Sequence, residues 1–111
     1  MMFKEIKSID EFIALKDEQE AVLAYFSTDA CSVCKVLKPK VEEMVTTNFP
    51  KMQLVYVQSD VLPDVAAQNS IFTAPTIVVF FDGRETIRKS RAIGVGEIQS
   101  EIARYYSMLF D

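Results

Sequence analysis

The spacing of apolar residues changes period several times along the chain, and each change marks an element. Phe3 to Ile6 reads as a short first strand. Ser8 then predicts a helix cap, and Glu11 three residues later completes a capping box. Ile9, Phe12, Ile13 and Lys16 follow at helical spacing on one face. Ala21 to Ser27 (AVLAYFS) is apolar at nearly every position, the pattern of a strand covered on both faces. A long helix is expected from near Cys31 to Val33, because Val33, Leu37, Val41, Met44, Val45 and Phe49 recur at three and four. Pro39 falls inside that pattern and predicts a kink, since its ring removes a backbone donor and crowds the turn before it. Met52 to Gln58 is a second buried strand, and Val61 to Gln68 a short helix capped by Asp60. Thr76 to Phe81 is a further strand. Asp82-Gly83 is a hairpin signal, so Glu85 to Ala92 is expected to return antiparallel to it. Gly94 and Gly96 are read as ending that strand, before a last amphipathic helix marked by Ile98, Ile102, Tyr105 and Leu109.

The resulting order is βαβαβαββα. Helices alternating with mostly apolar strands, plus one late hairpin, predict an α/β fold with a central mixed sheet flanked by helices. The 111 residues suit a single domain, 1–111, and no repeat, low-complexity segment or linker divides them. The apolar runs fall far short of the ~20 residues of a membrane helix. Met1 to Ile13 alternates charged and apolar residues, unlike a targeting leader. The expectation is a cytoplasmic protein with no membrane partner. Twelve basic against 16 acidic residues give a net charge of −4, which argues against nucleic acid and against anionic membranes as ligands. That charge on a small domain suits a monomer. The absence of histidine removes every His-ligated metal site and every His general base. Two cysteines are too few for a disulfide scaffold.

Those two cysteines carry the chemistry. Cys31-Ser32-Val33-Cys34 follows a buried strand and opens a helix. Free amide N–H groups and the positive end of the helix dipole favour a thiolate there. Two intervening residues in a helical turn let the sulfurs reach bonding distance. The upstream sulfur is then exposed and the downstream one packs beneath it. Cys31 is therefore expected to attack a substrate disulfide, and Cys34 to resolve the mixed disulfide. Lys35 adds a nearby positive charge. The plainer readings are two small buried hydrophobes, or a zinc site shared by two chains, since one Cys pair cannot close a tetrahedral site. No metal within one chain and no organic cofactor is implied.

Further residues extend the pattern: the strand AVLAYFS before the motif, Lys35 after it, Pro39 in the helix, Ala74-Pro75-Thr76 before a strand, Phe81-Asp82-Gly83 at the hairpin and Gly94 before the last helix. With these, the chain resembles the thioredoxin family over nearly its whole length. The resemblance implies a thioredoxin-like fold and a thiol–disulfide oxidoreductase. It implies protein disulfides as substrates and a thioredoxin reductase-like electron donor, with no cofactor. It also implies a cis Pro75 facing the cysteines, with Ala74, Pro75 and Thr76 as the substrate-facing loop and the Ala74 backbone open to strand-like pairing. Ala30, Ser32, Val33 and Lys35 flank the cysteines.

The chain departs from the family where the chemistry sits. The family's usual Trp-Cys-Gly-Pro-Cys is here Ala30, Cys31, Ser32, Val33 and Cys34, and there is no Trp anywhere. The family's buried acid falls at Tyr25, and its lysine partner near Leu54. A second reading is therefore a thioredoxin-like protein-binding module with slow or vestigial dithiol chemistry, and a third is a redox sensor. Tyr25 is expected as a packed strand aromatic, with contact to Cys34 as the other reading. Asp29 is expected as a solvated loop charge, with a place near the thiols, where it would oppose a thiolate, as the other. Phe80 and Phe81 are expected as core. Arg84, Arg88, Lys89 and Arg91 are read as charges guarding an edge strand. Phe72 belongs to the core or to the border of a substrate groove.

Overall fold

The computed structural model describes residues 3–110. Its elements are β1 (Lys4–Glu5), α1 (Ile9–Glu18), β2 (Ala21–Ser27), α2 (Ser32–Asn48), β3 (Gln53–Gln58), α3 (Pro63–Gln68), β4 (Thr76–Phe81), β5 (Arg84–Ser90) and α4 (Val95–Phe110). The order is the expected βαβαβαββα. The five strands form one sheet in the order β1-β3-β2-β4-β5. β1, β3 and β2 run parallel, β4 runs antiparallel to β2, and β5 antiparallel to β4.

β2 lies at the centre, and all seven of its residues are buried. Its side chains alternate between two cores, as a strand's period of two requires. Ala21, Leu23 and Tyr25 face α2 and α4, where Leu37, Val41, Val45, Ile98 and Ile102 complete one core. Val22, Ala24 and Phe26 face α1 and α3, where Phe12, Val65 and Ala66 complete the other. The near-continuous apolar reading of AVLAYFS thus reflects burial on both faces. Among the described residues no helix is long and apolar enough to cross a membrane.

The local signals resolve as follows. Ser8 caps α1 by accepting the Glu11 N–H at 3.2 Å, and Glu11 Oε1 returns a bond to the Lys7 N–H at 2.7 Å. The capping box therefore closes one residue earlier on its return side. Asp82 and Gly83 both have positive φ, 53° and 77°, as a two-residue type I′ hairpin demands. Pro39 lies within α2 without ending it.

Several boundaries differ from the sequence expectation, β3 by a single residue at its start. β1 is only Lys4–Glu5, although the Ile6 N–H still reaches the Tyr56 carbonyl at 3.0 Å. α3 begins at Pro63 and its cap is Leu62, not Asp60. A proline in the first helical turn loses no bond that the helix would have made, and it draws the start to itself. β5 covers Arg84–Ser90 and stops short of Ala92, because Arg91 turns to positive φ (65°). Gly96 lies inside α4 and ends nothing, so only Gly94 stands in the connection. β4 and β5 also carry a bulge between Val79 and Phe80, which pair with Ile87 and Glu85 and leave Thr86 as the extra residue.

The fold predicts a sharp contrast between two substitutions. Phe26→Ala, at a fully buried site beside Phe12, is expected to cost about 3–5 kcal/mol. Val36→Ala, on the exposed side of α2, is expected to stay within about 0.5 kcal/mol of the parent. Urea unfolding of both variants measures the difference.

Candidate functional site

The connection from β2 to α2 sets the site. β2 ends at Ser27, and a turn brings the Cys31 N–H to the Thr28 carbonyl at 3.2 Å. Cys31 then becomes the cap of α2, with extended backbone (φ −89°, ψ 98°). Its Sγ accepts the Cys34 N–H at 3.2 Å. The sulfur therefore occupies the place of a capping oxygen, at the end of the helix where free donors and the dipole favour negative charge. Cys34 lies one turn on. Its Sγ is bonded to that of Cys31, with the Cα atoms 5.3 Å apart.

The two sulfurs differ in access. Cys31 is half-buried and lines an open groove of about 1110 Å³. Cys34 is only 3% exposed and sits against the core of Tyr25, Leu37 and Val41. The expected upper and lower sulfurs are thus found. Ala30, Ser32 and Val33 line the groove beside Cys31. Val33 is 58% exposed and belongs to the groove wall, not to the apolar face of α2 that its spacing suggested. It sits in the first turn of the helix, beyond the core that begins at Leu37.

Ala74 and Pro75 line the same groove, and the peptide bond between them is cis. The Pro75 carbonyl accepts the Arg91 N–H at 2.9 Å, which ties this loop to the end of β5. Thr76 is placed differently. It is buried as the first residue of β4, and its hydroxyl donates to the Thr73 carbonyl at 2.8 Å. It holds the loop and lies outside the groove lining. Lys35 is exposed and borders a separate, smaller cavity below the disulfide.

The far wall of the groove comes from residues the motif does not announce. Pro63, Ala66 and Ala67 of α3 contribute, with Ile71 and Phe72 in the loop before the cis bond. Phe72 is 88% exposed, so its place is the groove border. Asp60 and Arg91 add one charge of each sign. Phe80 and Phe81 are core, as expected. Of the expected edge charges, Arg88 is engaged. It pairs with Glu85 at 2.7 Å and also donates to the carbonyls of Asn69 and Ser70. Lys89 pairs with Glu101 at 2.8 Å.

Tyr25 is more than a packed aromatic. Its hydroxyl donates to the Cys34 carbonyl at 2.8 Å, across the buried layer between β2 and α2. Burial, and then the charge that Tyr56 would carry, push its ionisation well above the ordinary tyrosine range. It therefore acts as a neutral donor. The residue beside it on β3 is Tyr56, not Leu54, because the β2–β3 register pairs Tyr25 with Tyr56 and Leu23 with Leu54. The two phenol rings stack with centroids 6.2 Å apart. The Tyr56 hydroxyl shares a 2.7 Å hydrogen bond with Ser27 Oγ. Period-two counting from Leu54 places Tyr56 on the same face, which is the signal in the sequence that could have found it.

A thioredoxin family model matches residues 5–104. The chain belongs to the thioredoxin family. It is 29% identical over 101 residues to the thioredoxin-like protein YdfQ of Bacillus subtilis, covering 91% of this chain and 87% of that protein. It is 33% identical over 93 residues to the thioredoxin of Mycoplasma genitalium, covering 84% and 87%. The solution structure of oxidised thioredoxin from Plasmodium falciparum superimposes with a TM-score of 0.83 at 25% identity, covering 95% of this chain and 99% of that one. Family membership, together with a cysteine pair placed to form a disulfide, supports thiol–disulfide oxidoreductase activity.

The Tyr25 bond gives a prediction with a defined sign. Tyr25→Phe is expected to cost about 1 kcal/mol, measured by urea unfolding at pH 7, since one buried hydrogen bond is lost. In the parent protein the folded state holds the phenol neutral beyond the pH at which the unfolded chain ionises it. That part of the stability is intact below about pH 10 and is lost as pH rises from there toward the folded value. The Phe variant lacks this contribution. Its stability is expected to fall less steeply than the parent's above pH 10.

Proposed function

We propose that the protein exchanges dithiols with protein disulfides, with Cys31 as the attacking thiol and Cys34 as the resolving thiol. The observation that carries this reading is the asymmetry of the pair. Cys31 opens to the groove with its sulfur at the cap of α2, while Cys34 is closed off beneath it. Only the upstream sulfur can meet a protein substrate first. In that step the Cys31 thiolate attacks one sulfur of the substrate disulfide, and the other leaves as a thiolate that takes up a proton. The Cys34 thiolate then attacks Cys31 Sγ. The Cys31–Cys34 bond forms and the second substrate thiol departs. The protein's two thiols are oxidised and the substrate is reduced by two electrons. A reductase acting on the Cys31–Cys34 disulfide returns it to the dithiol.

Ala74 and Pro75 fit the substrate-facing loop, with Thr76 supporting it from below. Ala30, Ser32 and Val33 shape the near wall, and Lys35 adds a solvated charge. We place the protein in the cytoplasm, as a monomer acting in cell redox homeostasis, where thiols are kept reduced and a working dithiol is poised to act. We take residues 1–111 as one such domain. The second reading, a binding module that keeps an idle dithiol, draws its support from the absent Trp and from the apolar groove around Phe72.

Trapping separates the roles. Cys34→Ser is expected to accumulate mixed disulfides through Cys31, and Cys31→Ser is not. Equal accumulation by both variants removes the role assignment. Equilibration in graded redox buffers, read by mass after thiol blocking, gives the direction of electron flow. A potential near about −270 mV marks a reductant, and one near −180 mV or above marks isomerase-like or oxidising chemistry. Failure to form the Cys31–Cys34 bond at any poise would leave the binding module as the account.

A further inference from the structure

The cavity of about 240 Å³ below the disulfide is lined by Cys34, Lys38, Tyr56, Ser27 and Asp29, among others. The resolving step needs a thiolate on Cys34, and no carboxylate stands at Tyr25 to receive the proton. Lys38 lies four residues after Cys34 on α2 and so shares its face of the helix. Its Nζ sits 3.9 Å from the centre of the Tyr56 ring and 5.4 Å from that of Phe3. Such ring faces attract a cation and limit where it can go. Tyr56 is itself fixed, by Ser27 Oγ through its hydroxyl and by Tyr25 through its ring. Lys38 has no carboxylate within ion-pair distance among the described residues, as is also true of Lys16, Lys35, Lys40 and Lys51; it is set apart by lying over two rings on the wall of this cavity. An ammonium is thus held over two rings on the wall of the resolving thiol's cavity, where Asp29 is one anion and a Cys34 thiolate becomes a second once the disulfide opens.

We propose that Lys38 is the positioning residue of the resolving step, its ammonium favouring the Cys34 thiolate where the family uses a buried acid. The inference rests on the dithiol reading above. In the mixed disulfide, Cys34 gives its proton to solvent in the cavity. The thiolate, stabilised by Lys38, attacks Cys31 Sγ, and the bond from Cys31 to the substrate sulfur breaks. The electron pair leaves with that sulfur, which is protonated from water. The other titratable groups around Cys34 are Tyr25 on β2, Tyr56 on β3, Lys35 on α2 and Asp29 in the preceding loop. Tyr25 is a neutral donor, and Lys35, although it borders the same cavity, is exposed and holds its charge in solvent rather than over a ring. Asp29 opposes a thiolate, but its carboxylate is engaged by Gln58 Nε2 at the rim.

An aromatic disulfide that releases a coloured thiol at each step, 5,5′-dithiobis(2-nitrobenzoate), resolves the two events in one stopped-flow trace on the reduced protein. The first release reports attack by Cys31 and the second reports resolution by Cys34. Lys38→Met and Lys38→Gln are expected to slow the second release about three- to tenfold at pH 7. The midpoint of its pH profile moves up by about half to one pH unit. The first release is unchanged. Lys38→Arg, which keeps the charge, is expected to restore both rate and midpoint, a pattern that loss of packing alone does not give. Titration of Cys34 by its ¹³Cβ shift in the Cys31→Ser background, with and without Lys38, checks the thiolate directly. The Gln variant keeps a polar head at a half-buried site and guards against a folding defect in the Met variant. An unchanged second release and an unchanged Cys34 titration in both variants overturn the role of Lys38 alone. Loss of the first release in the parent protein, with no mixed disulfide trapped by Cys34→Ser, overturns the dithiol reading and the inference with it.

Discussion

The structure depends on one strand with no solvent face. β2 pairs on both sides, with β3 in parallel and β4 antiparallel, and buries side chains into both layers. Covering both faces requires helices above and below, so the chain must cross the sheet repeatedly. The carboxyl end of β2 fixes where α2 begins. With Cys31 at that cap and Cys34 one turn on, one sulfur necessarily lies at the rim and the other beneath it. The asymmetry of the pair follows from the helix starting at the top of a buried strand.

A buried strand also constrains what can stand near Cys34. A lone carboxylate at Tyr25 would need a partner, because an unpaired buried charge is strongly unfavourable. This chain places two phenols there, stacked on each other and each with a hydroxyl bond, to the Cys34 carbonyl and to Ser27. The exchange removes both charges together, so neither is left orphaned. It leaves the layer polar enough to anchor the first turn of α2 but without a proton acceptor at neutral pH. Positive charge, from the helix end and from Lys38 over the Tyr56 ring, is what remains to favour a thiolate.

Much of this was legible from residue patterns, for reasons that can be named. The fully apolar run of β2, the Asp82-Gly83 turn and the period of α2 each reflect a local rule that tertiary structure reinforces. Boundaries were legible only where a single residue decided them. Pro63 overrode Asp60 as the start of α3, and the positive φ of Arg91 shortened β5. Val33 followed the helical period yet faces the groove, because the first turn of α2 extends past the core. Tyr56 was missed because alignment to a family position placed the partner near Leu54, whereas the register of two strands decides who faces whom. The groove's far wall was hidden for a related reason. Ala66, Ala67 and Ile71 look like ordinary core until α3 is placed beside the cis-proline loop.

The same geometry bears on the missing tryptophan. A residue flanking the nucleophile on its own loop would sit on the near wall, where this chain has the small side chains of Thr28, Ala30, Ser32 and Val33. The large apolar side chain stands instead on the far wall, as Phe72, next to the loop that carries Pro75. Contact area is thereby moved from the loop that holds the reacting sulfur to the loop that faces it. Aromatic side chains dominate contact energetics by their area. A substrate segment lying along Ala74 would meet Phe72 within the same loop. The two walls stand on separate segments, the far one tied to the sheet by the Arg91 N–H on the Pro75 carbonyl and by Arg88 on the carbonyls of Asn69 and Ser70. A change of Ser32 or Val33 between the cysteines therefore reshapes the near wall while the far wall of Phe72 and the cis-proline loop keeps its own supports.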